Sequence, residues 1–223
     1  PKPKEVHYFS LHFAEGLNWY RNRFAAAADE QCIGERTPYY LFHPFAAERI
    51  KASLGPVKII ILLRDPLART ISHYRHSCRL GFERLSLSDA LASEPKRLQG
   101  ADMILRLPNG RHQQHQECSY ISRSLYRHQV ERYWKYFGRD RVLLLHSERL
   151  FADPWSTLVK IFRFLDVSSI LRPDGELLKA HSNSSHHLPR VNLTDRLIQH
   201  IRCKLADGYN FLQDDIGWRS ESE

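Results

Sequence analysis

An arginine and a serine near the middle of the chain have the types and spacing of an anion site. Arg64 directly follows the apolar run Ile59–Leu63, and Ser72 lies further along the same stretch. Asp65 and Pro66 predict the N-cap and first position of a helix, so the hydroxyl lies about two turns into it. Arginine suits phosphate because its planar fork donates two charge-assisted hydrogen bonds. Either residue alone would more often be a solvated surface group, but together they predict a phosphate site beyond the end of a strand.

The elements expected to position this pair alternate between strands and amphipathic helices. Apolar runs at residues 57–63 and 141–146 predict two buried strands, and the nearly continuous apolarity of the first predicts burial on both faces, as in a parallel sheet. Helices are predicted to begin at Pro66 and Pro154, since an aspartate cap precedes each proline. Helical patterns also cover residues 44–54, 86–91, 119–137 and 197–205, whereas the polar residues 94–117 predict a long loop. The alternation predicts an α/β fold, and 223 residues favour one domain over residues 1–223.

The composition of the chain limits the classes of molecule that it is expected to bind. The formal net charge is +8, from 33 basic and 25 acidic residues. Three partners suit such a charge: nucleic acid, an anionic membrane surface, or an anionic cofactor or glycan. The charges are dispersed, which argues against a nucleic-acid-binding arm, and no apolar run approaches the roughly 20 residues of a membrane span. Four widely separated cysteines predict reduced thiols and a cytoplasmic protein.

A metal site is the competing interpretation of one histidine-rich stretch. His112, His115 and Cys118 have ligand types and spacing compatible with zinc. The nearest candidates for a fourth ligand are His186 and His187, far along the chain. Because 13 histidines make chance clusters common, we predict no metal.

The stretch around Arg64 resembles a known family motif. Leu62-Leu-Arg-Asp-Pro-Leu-Ala-Arg-Thr-Ile-Ser72 is similar to the 3′-phosphate-binding motif of sulfotransferases that use 3′-phosphoadenosine 5′-phosphosulfate (PAPS). Other segments resemble further motifs of the family, in the family's order: Lys4-Glu-Val-His-Tyr-Phe9, Glu35-Arg-Thr-Pro-Tyr-Tyr-Leu41, residues 119–126, Ser147-Glu148 with Asp153-Pro154, and Gly217-Trp218. Bacterial sulfotransferase domains and the glycan-modifying heparan-sulfate type are the most similar. The resemblance implies a P-loop nucleotide-kinase-like, three-layer fold with a central parallel sheet.

The resemblance also assigns roles to particular residues. Arg64 and Ser72 would hold the 3′-phosphate of PAPS, and 3′-phosphoadenosine 5′-phosphate (PAP) would be the product. Glu5 would be the catalytic base, and His7 would help to orient the acceptor or the sulfo group. His7 would point the same way as Glu5 if this segment is extended. The implied acceptor is a hydroxyl-bearing molecule, expected to be a carbohydrate, and its contacts would come from one turn: Arg36, Thr37 and Pro38. A structural salt bridge is an equally good interpretation of Arg36.

The family's phosphosulfate loop has no counterpart among the 223 residues. In the family, a first strand and a Lys-x-Gly-Thr-type loop enclose the 5′-phosphosulfate, and both would lie upstream of Pro1. We therefore expect either an N-terminally truncated sulfotransferase or a protein that lacks this loop. The second case gives the alternative function, a non-catalytic domain that binds the nucleotide 3′-phosphate as a binding or scaffold module. The expected location is the cytoplasm, or the Golgi lumen in a eukaryote.

Overall fold

A computed structural model describes residues 4–27, 32–168, 191 and 193–218. Helices and two strands alternate in this part of the chain. In chain order they are α1 (Tyr8–Leu11), α2 (Gly16–Asn22), α3 (Tyr39–Phe42), α4 (Ala46–Leu54), β1 (Ile59–Leu63), α5 (Pro66–Arg79), α6 (Leu87–Leu98), α7 (Ala101–Arg106), α8 (Gln113–Glu117), α9 (Tyr126–Phe137), β2 (Val142–His146), α10 (Ser147–Ala152), α11 (Pro154–Leu165), α12 (Asp195–Lys204) and α13 (Ala206–Asp214). Short 3₁₀ helices span Phe13–Glu15, Ala25–Ala27, Ser122–Ser124 and Arg139–Arg141.

The described residues form two compact units. The first contains residues 4–27, 32–63, 105–110 and 132–168, and the second contains residues 64–104, 111–131, 191 and 193–218. The sheet lies in the first unit, where β1 pairs with β2 in parallel from Ile59 opposite Val142 to Leu63 opposite His146. A parallel sheet among helices confirms the predicted α/β class. The assignment of residues 1–223 to a single domain stays a prediction.

Only one face of β1 is buried, so the prediction of burial on both faces is wrong. Ile61 and Leu63 are 5% and 2% exposed, whereas Ile60 and Leu62 are 39% and 46% exposed. Side chains alternate across a strand, and in this unit only the face of Ile61 and Leu63 is covered. The buried face therefore anchors the end of β1 that leads to Arg64.

Both aspartate–proline pairs begin helices, as predicted. Asp65 precedes α5, and its carboxylate accepts a hydrogen bond from the Ala68 N–H at 2.7 Å. Asp153 precedes α11 and accepts a hydrogen bond from the Ser156 N–H at 3.1 Å. A carboxylate at the N-cap satisfies one of the N–H groups that a helix start leaves unpaired. The connection from β1 to α5 thus has the local structure that its sequence predicts.

The prediction of a long loop over residues 94–117 is wrong. Helix α6 continues to Leu98, and α7 and α8 lie within the same stretch. Helix α6 continues because its buried side chains recur at helical spacing. They are Leu87, Ala90, Leu91 and Glu94. Buried Ala101 and Leu105 stand four residues apart on α7, and this stripe is too short to recognise in a polar sequence.

The predicted helix over residues 119–137 begins later, at Tyr126. The residues before it form a 3₁₀ turn because a buried carboxylate binds their backbone. Glu94 accepts the N–H groups of Ile121 and Ser122, each at 2.8 Å. Near the end of the chain the predicted helix ends at Lys204, and α13 follows as a separate helix.

Each unit has its own core. In the first, aromatic rings surround the N-terminal segment: Tyr8 stacks on Tyr20 with ring centroids 4.8 Å apart, and Phe9 meets the Tyr40 ring edge-on at 5.5 Å. In the second, α5, α6 and α12 share a cluster of buried side chains. Its members are Tyr74, Leu87, Ala90, Leu91, Cys118, Tyr120, Ile201 and Leu205. Among the described residues no helix is long and apolar enough to cross a membrane.

A buried arginine ties the N-terminal segment to the rest of the first unit. Arg49 on α4 is 6% exposed, and its guanidinium donates hydrogen bonds to the Phe9 carbonyl at 3.2 Å and the Leu105 carbonyl at 2.8 Å. The carbonyls of Arg106 and Leu107 accept from the same nitrogen as Leu105, at 3.3 and 3.0 Å. The planar fork is needed because the acceptors come from two separate segments.

Replacement of Arg49 by lysine should lower the free energy of unfolding by about 2 kcal/mol. The ammonium keeps the charge but cannot reach acceptors in both segments, so buried carbonyls lose their donors. Urea unfolding measures the change. The control is Arg79→Lys, at an exposed position on α5. Equal stability of the two variants would contradict this role for Arg49.

Candidate functional site

Glu5 and His7, the predicted catalytic pair, lie together in the first unit. The Glu5 Oε2 and His7 Nε2 atoms are 3.2 Å apart, and their side chains are 40% and 19% exposed. The other ring nitrogen, His7 Nδ1, lies 3.2 Å from the Ser10 hydroxyl oxygen. The imidazole is thus held between two oxygen atoms, and the carboxylate remains open to solvent. A carboxylate held in this way can accept a proton from a hydroxyl that approaches from outside.

His7 is not extended, which corrects the expectation for this segment. Its φ of 54° and ψ of 20° are left-handed, and it forms the N-cap of α1. Such angles are uncommon for residues other than glycine, although histidine is among the residues that adopt them more often. Two contacts fix this conformation: the His7 N–H donates to the Thr37 hydroxyl at 3.3 Å, and the Leu11 N–H donates to the His7 carbonyl at 2.8 Å. Strained backbone of this kind concentrates at functional sites.

The turn of Arg36, Thr37 and Pro38 lies in the same unit as Glu5. Thr37 is 7% exposed, and its hydroxyl accepts the His7 N–H, so it holds the backbone of one of the two predicted catalytic residues. Arg36 and Pro38 are exposed. Of the three residues predicted to contact the acceptor, these two have side chains that a solvent-borne molecule can reach.

Glu35 is a buried carboxylate to which the sequence assigned no role. Both of its oxygens are shielded from water, and neither makes a hydrogen bond of standard geometry among the described residues. Burial raises the pKa of Glu35, and the neighbouring Tyr40 and Thr37 hydroxyls lower it in part. The same hydroxyls accept the backbone N–H groups of Phe9 and His7, at 3.2 and 3.3 Å. Glu35 thus neighbours Tyr40 and Thr37, the two side chains that hold the start of α1.

Replacement of Glu35 by glutamine should raise the melting temperature at neutral pH by about 2–4 °C, the shift that about 1 kcal/mol produces in a chain of this size. The folded-state pKa is raised, so ionisation of the buried carboxylate costs stability above its unfolded pKa of about 4.3 and nothing below it. The gain should therefore vanish as the pH falls below about 4. Thermal unfolding at a series of pH values measures it, with exposed Glu15→Gln as the control. A gain independent of pH would contradict the assignment.

Arg64 and Ser72 both lie in the second unit. Arg64 is exposed and follows β1 directly, and Ser72 is half-buried on α5. Helix α5 carries Arg69, Arg75 and Arg79 and no acidic residue. The arginine charges of α5 are therefore unopposed by an acid on the same helix, which favours an anion nearby.

Arg69 is half-buried on this helix and makes several hydrogen bonds. Its guanidinium donates to the Ser124 hydroxyl and to the Tyr120 carbonyl, each at 2.5 Å. Thr70 joins the same contact, since its hydroxyl lies 2.7 Å from that of Ser124. His73 approaches the Ser119 carbonyl with its Nδ1 at 3.1 Å. These contacts bind α5 to the residues just before α9 and fix its orientation.

Three guanidinium groups lie close enough to influence one another. Burial is the main reason that the pKa of Arg69 falls to about 10, and the charges of Arg123 and Arg64 lower it further. Arg69 therefore still carries its charge at neutral pH. Burial, reinforced by Arg69 and Arg123, also lowers the pKa of His73 well below its usual value, so this ring is neutral. An anion bound near Arg64 would relieve the repulsion among the arginines.

Sequence reasoning missed several of these residues for one reason. Arg69 and Glu35 lie within the motifs of residues 62–72 and 35–41, but a charge shielded from solvent looks the same in a sequence as an exposed one. Their partners, among them Ser124 and Tyr40, lie in other segments of the chain. The sequence does contain one signal for Arg69. It lies on the same predicted helix as Thr70 and Tyr74, two residues that this helix buries.

The histidine-rich stretch has structural contacts of its own. His112 caps α8, where its Nδ1 accepts the His115 N–H at 3.1 Å. The Cys118 thiol donates to the Phe82 carbonyl at 3.7 Å. Within the described ranges, no group of three or more histidine, cysteine or acidic side chains could hold a metal ion. His186 and His187 lie outside the described residues.

The fold and the two groups of residues define an α/β protein with a candidate anion site after its first strand and a candidate base in its N-terminal segment. The sequence profile of the sulfotransferase domain family matches residues 15–196. The chain belongs to this family, as its motifs predicted. The solved structure of a sulfotransferase from Alicyclobacillus acidocaldarius is similar over 100% of this chain and 86% of that one, with 26% identity and a TM-score of 0.76.

Two curated relatives are longer than this chain. The membrane-associated sulfotransferase kil1 of Dictyostelium discoideum is 22% identical over 97% of this chain and 60% of its own length. Human heparan sulfate glucosamine 3-O-sulfotransferase 3B1 is 27% identical over 75% of this chain and 39% of its own length. The chain therefore spans less than two thirds of either relative.

Proposed function

We propose that the protein transfers a sulfo group from PAPS to a hydroxyl of a carbohydrate. The observation that carries this proposal is the Glu5–His7 pair in a chain of the sulfotransferase family that also has Arg64 and Ser72 after its first strand. Two relatives' names support the acceptor and the reaction: one is a glucosamine 3-O-sulfotransferase of heparan sulfate, and the other is a sulfotransferase. The net charge of +8 suits an anionic donor and an acidic acceptor.

The donor side of the proposal rests on the second unit. Arg64 binds the 3′-phosphate with two charge-assisted hydrogen bonds, and Ser72 donates a third from its hydroxyl. The charges of Arg69 and Arg123 add to the attraction without leaving their protein partners. The PAPS molecule supplies the activated sulfo group.

The acceptor side of the proposal rests on the first unit. Glu5 takes the proton of the acceptor hydroxyl while the oxygen of that hydroxyl bonds to sulfur. The bond between sulfur and the 5′-phosphate oxygen breaks, which releases PAP. His7 holds the Glu5 carboxylate 3.2 Å from its Nε2 atom, and the exposed guanidinium of Arg36 attracts an acidic sugar.

Ligand-dependent thermal unfolding tests the donor assignment. PAP should raise the melting temperature, because a ligand that binds only the folded state stabilises it by an amount that grows with the logarithm of its concentration over its Kd. Adenosine 5′-phosphate, which lacks the 3′-phosphate, is the matched control and should have a much smaller effect. No stabilisation by PAP, or equal stabilisation by both nucleotides, would overturn the donor assignment.

A further inference from the structure

The backbone that carries Arg64 is held by two tyrosine hydroxyls from distant parts of the chain. Tyr126, the first residue of α9, donates to the Arg64 carbonyl at 2.9 Å. Tyr209, on α13, donates to the Asp65 carboxylate at 3.0 Å and accepts the Leu67 N–H at 3.3 Å. All of these residues belong to the second unit. We call Tyr126 and Tyr209 the tyrosine clamp.

Tyr209 and Asp65 occupy the backbone N–H groups of Leu67 and Ala68 at the start of α5. The Leu67 N–H is bound by Tyr209, and the Ala68 N–H is bound by Asp65 at 2.7 Å. Pro66 has no N–H to offer. Helix starts often bind anions through such backbone donors, but here they are already used. An anion at this end of the helix must therefore be held by side chains, above all by that of Arg64.

Both hydroxyls are well placed to act as fixed donors. Tyr126 is 3% exposed, so its ring is anchored in the core. Burial raises the pKa of Tyr209, reinforced by the neighbouring Asp65 charge, so its phenol keeps its proton at neutral pH. A buried hydrogen bond of this kind holds its acceptor in one position, because its loss would leave polar atoms unpaired.

Close packing brings Tyr209 to this position. A Cβ atom added to Gly208 would lie 2.9 Å from the Ser124 carbonyl oxygen and 3.8 Å from the Pro66 ring. Only glycine allows α13 to lie this close to α5 and to the residues before α9. The neighbouring side chain, Tyr209, then reaches both ends of the Asp65–Leu67 turn.

We propose that Tyr126 and Tyr209 are positioning residues that fix the direction in which Arg64 presents its guanidinium to the 3′-phosphate. This proposal rests on the proposed function, since it assigns the two hydroxyls to the same donor site. Arg64 directly follows the strand and has a flexible side chain. The position of its backbone therefore decides which atoms its guanidinium can reach. A carbonyl held by Tyr126 and a following turn held by Tyr209 restrict that position from both sides.

Isothermal titration of PAP and of adenosine 5′-phosphate into the full chain tests the clamp. Tyr126→Phe and Tyr209→Phe should each weaken PAP binding about 10-fold, the effect of one lost hydrogen bond. Their affinity for adenosine 5′-phosphate should not change. Tyr74→Phe is the matched control: its hydroxyl donates to the Leu85 carbonyl at 2.8 Å in the same unit, away from Arg64. Its PAP affinity should equal that of the wild type even where its melting temperature falls.

A double variant separates positioning from general stability. In the background of Arg64→Ala, Tyr126→Phe should have no further effect on PAP affinity, because the hydroxyl acts through Arg64. Additive losses, or wild-type PAP affinity in both single phenylalanine variants, would overturn the clamp while leaving the proposed function intact. Absence of PAP binding to the wild type would overturn the proposed function itself, and the clamp with it. If one variant fails to fold, the other decides the question alone.

Discussion

Replacement of Glu5 by glutamine should lower the turnover number for sulfo transfer by about 10²–10⁴-fold, the usual contribution of a general base. Glutamine keeps the size of the side chain and can still meet His7, but it cannot take a proton from the acceptor. Affinity for PAP should stay unchanged, because the residues proposed to bind it are Arg64 and Ser72. Steady-state kinetics with PAPS, together with PAP titration, measures both quantities.

The control for this substitution is Glu15→Gln. Glu15 is exposed in the neighbouring 3₁₀ helix and should tolerate the change without loss of turnover. A turnover number within a factor of about two of the wild type would exclude Glu5 as the base.

Replacement of Arg64 by alanine should weaken PAP binding by about 10²–10⁴-fold. Two charge-assisted hydrogen bonds are lost, each worth about 1.5–3 kcal/mol. Adenosine 5′-phosphate should bind the variant nearly as well as the wild type, because it has no 3′-phosphate. Calorimetric titration with the two nucleotides gives the ratio of their affinities directly.

Arg79→Ala distinguishes a specific contact from general loss of positive charge. Arg79 is exposed at the far end of α5 and changes the net charge by the same amount. Its effect should be small and should shrink as salt is added, since exposed charges are screened. Equal losses of PAP affinity in the Arg64 and Arg79 variants would show that the nucleotide is attracted by overall charge alone.

Local signals in the sequence were sufficient for much of the fold. The aspartate–proline pairs predicted the starts of α5 and α11, because a cap and a proline act on the residues next to them. The prediction of a long loop was wrong because residues 94–117 contain the end of one helix and two short helices. Their few buried side chains form no clear stripe in the sequence. The exposed face of β1 was missed because Ile60 and Leu62 are as apolar as their buried neighbours. Burial depends on what lies opposite, which one strand's sequence does not contain.

The residues of the candidate site, like the elements of the fold, were predictable only where the signal in the sequence is local. Arg64, Ser72 and Glu5 were found because each stands in a short motif, and their roles stay predictions. The residues that support them were not found, since each acts across the sequence: Tyr126 meets Arg64 from 62 positions away, and Tyr209 meets Asp65 from 144. A hydrogen bond between such distant residues leaves no periodicity in the chain.

The most direct test of sulfo transfer follows a labelled sulfo group. PAPS with radioactive sulfur is incubated with the full chain and a panel of polysaccharides, desulfated heparan sulfate among them, and the label is traced. We expect the label to move to a polysaccharide hydroxyl in the wild type and to stay on the nucleotide in Glu5→Gln. PAP binding without transfer to any hydroxyl acceptor would contradict sulfo transfer by this chain.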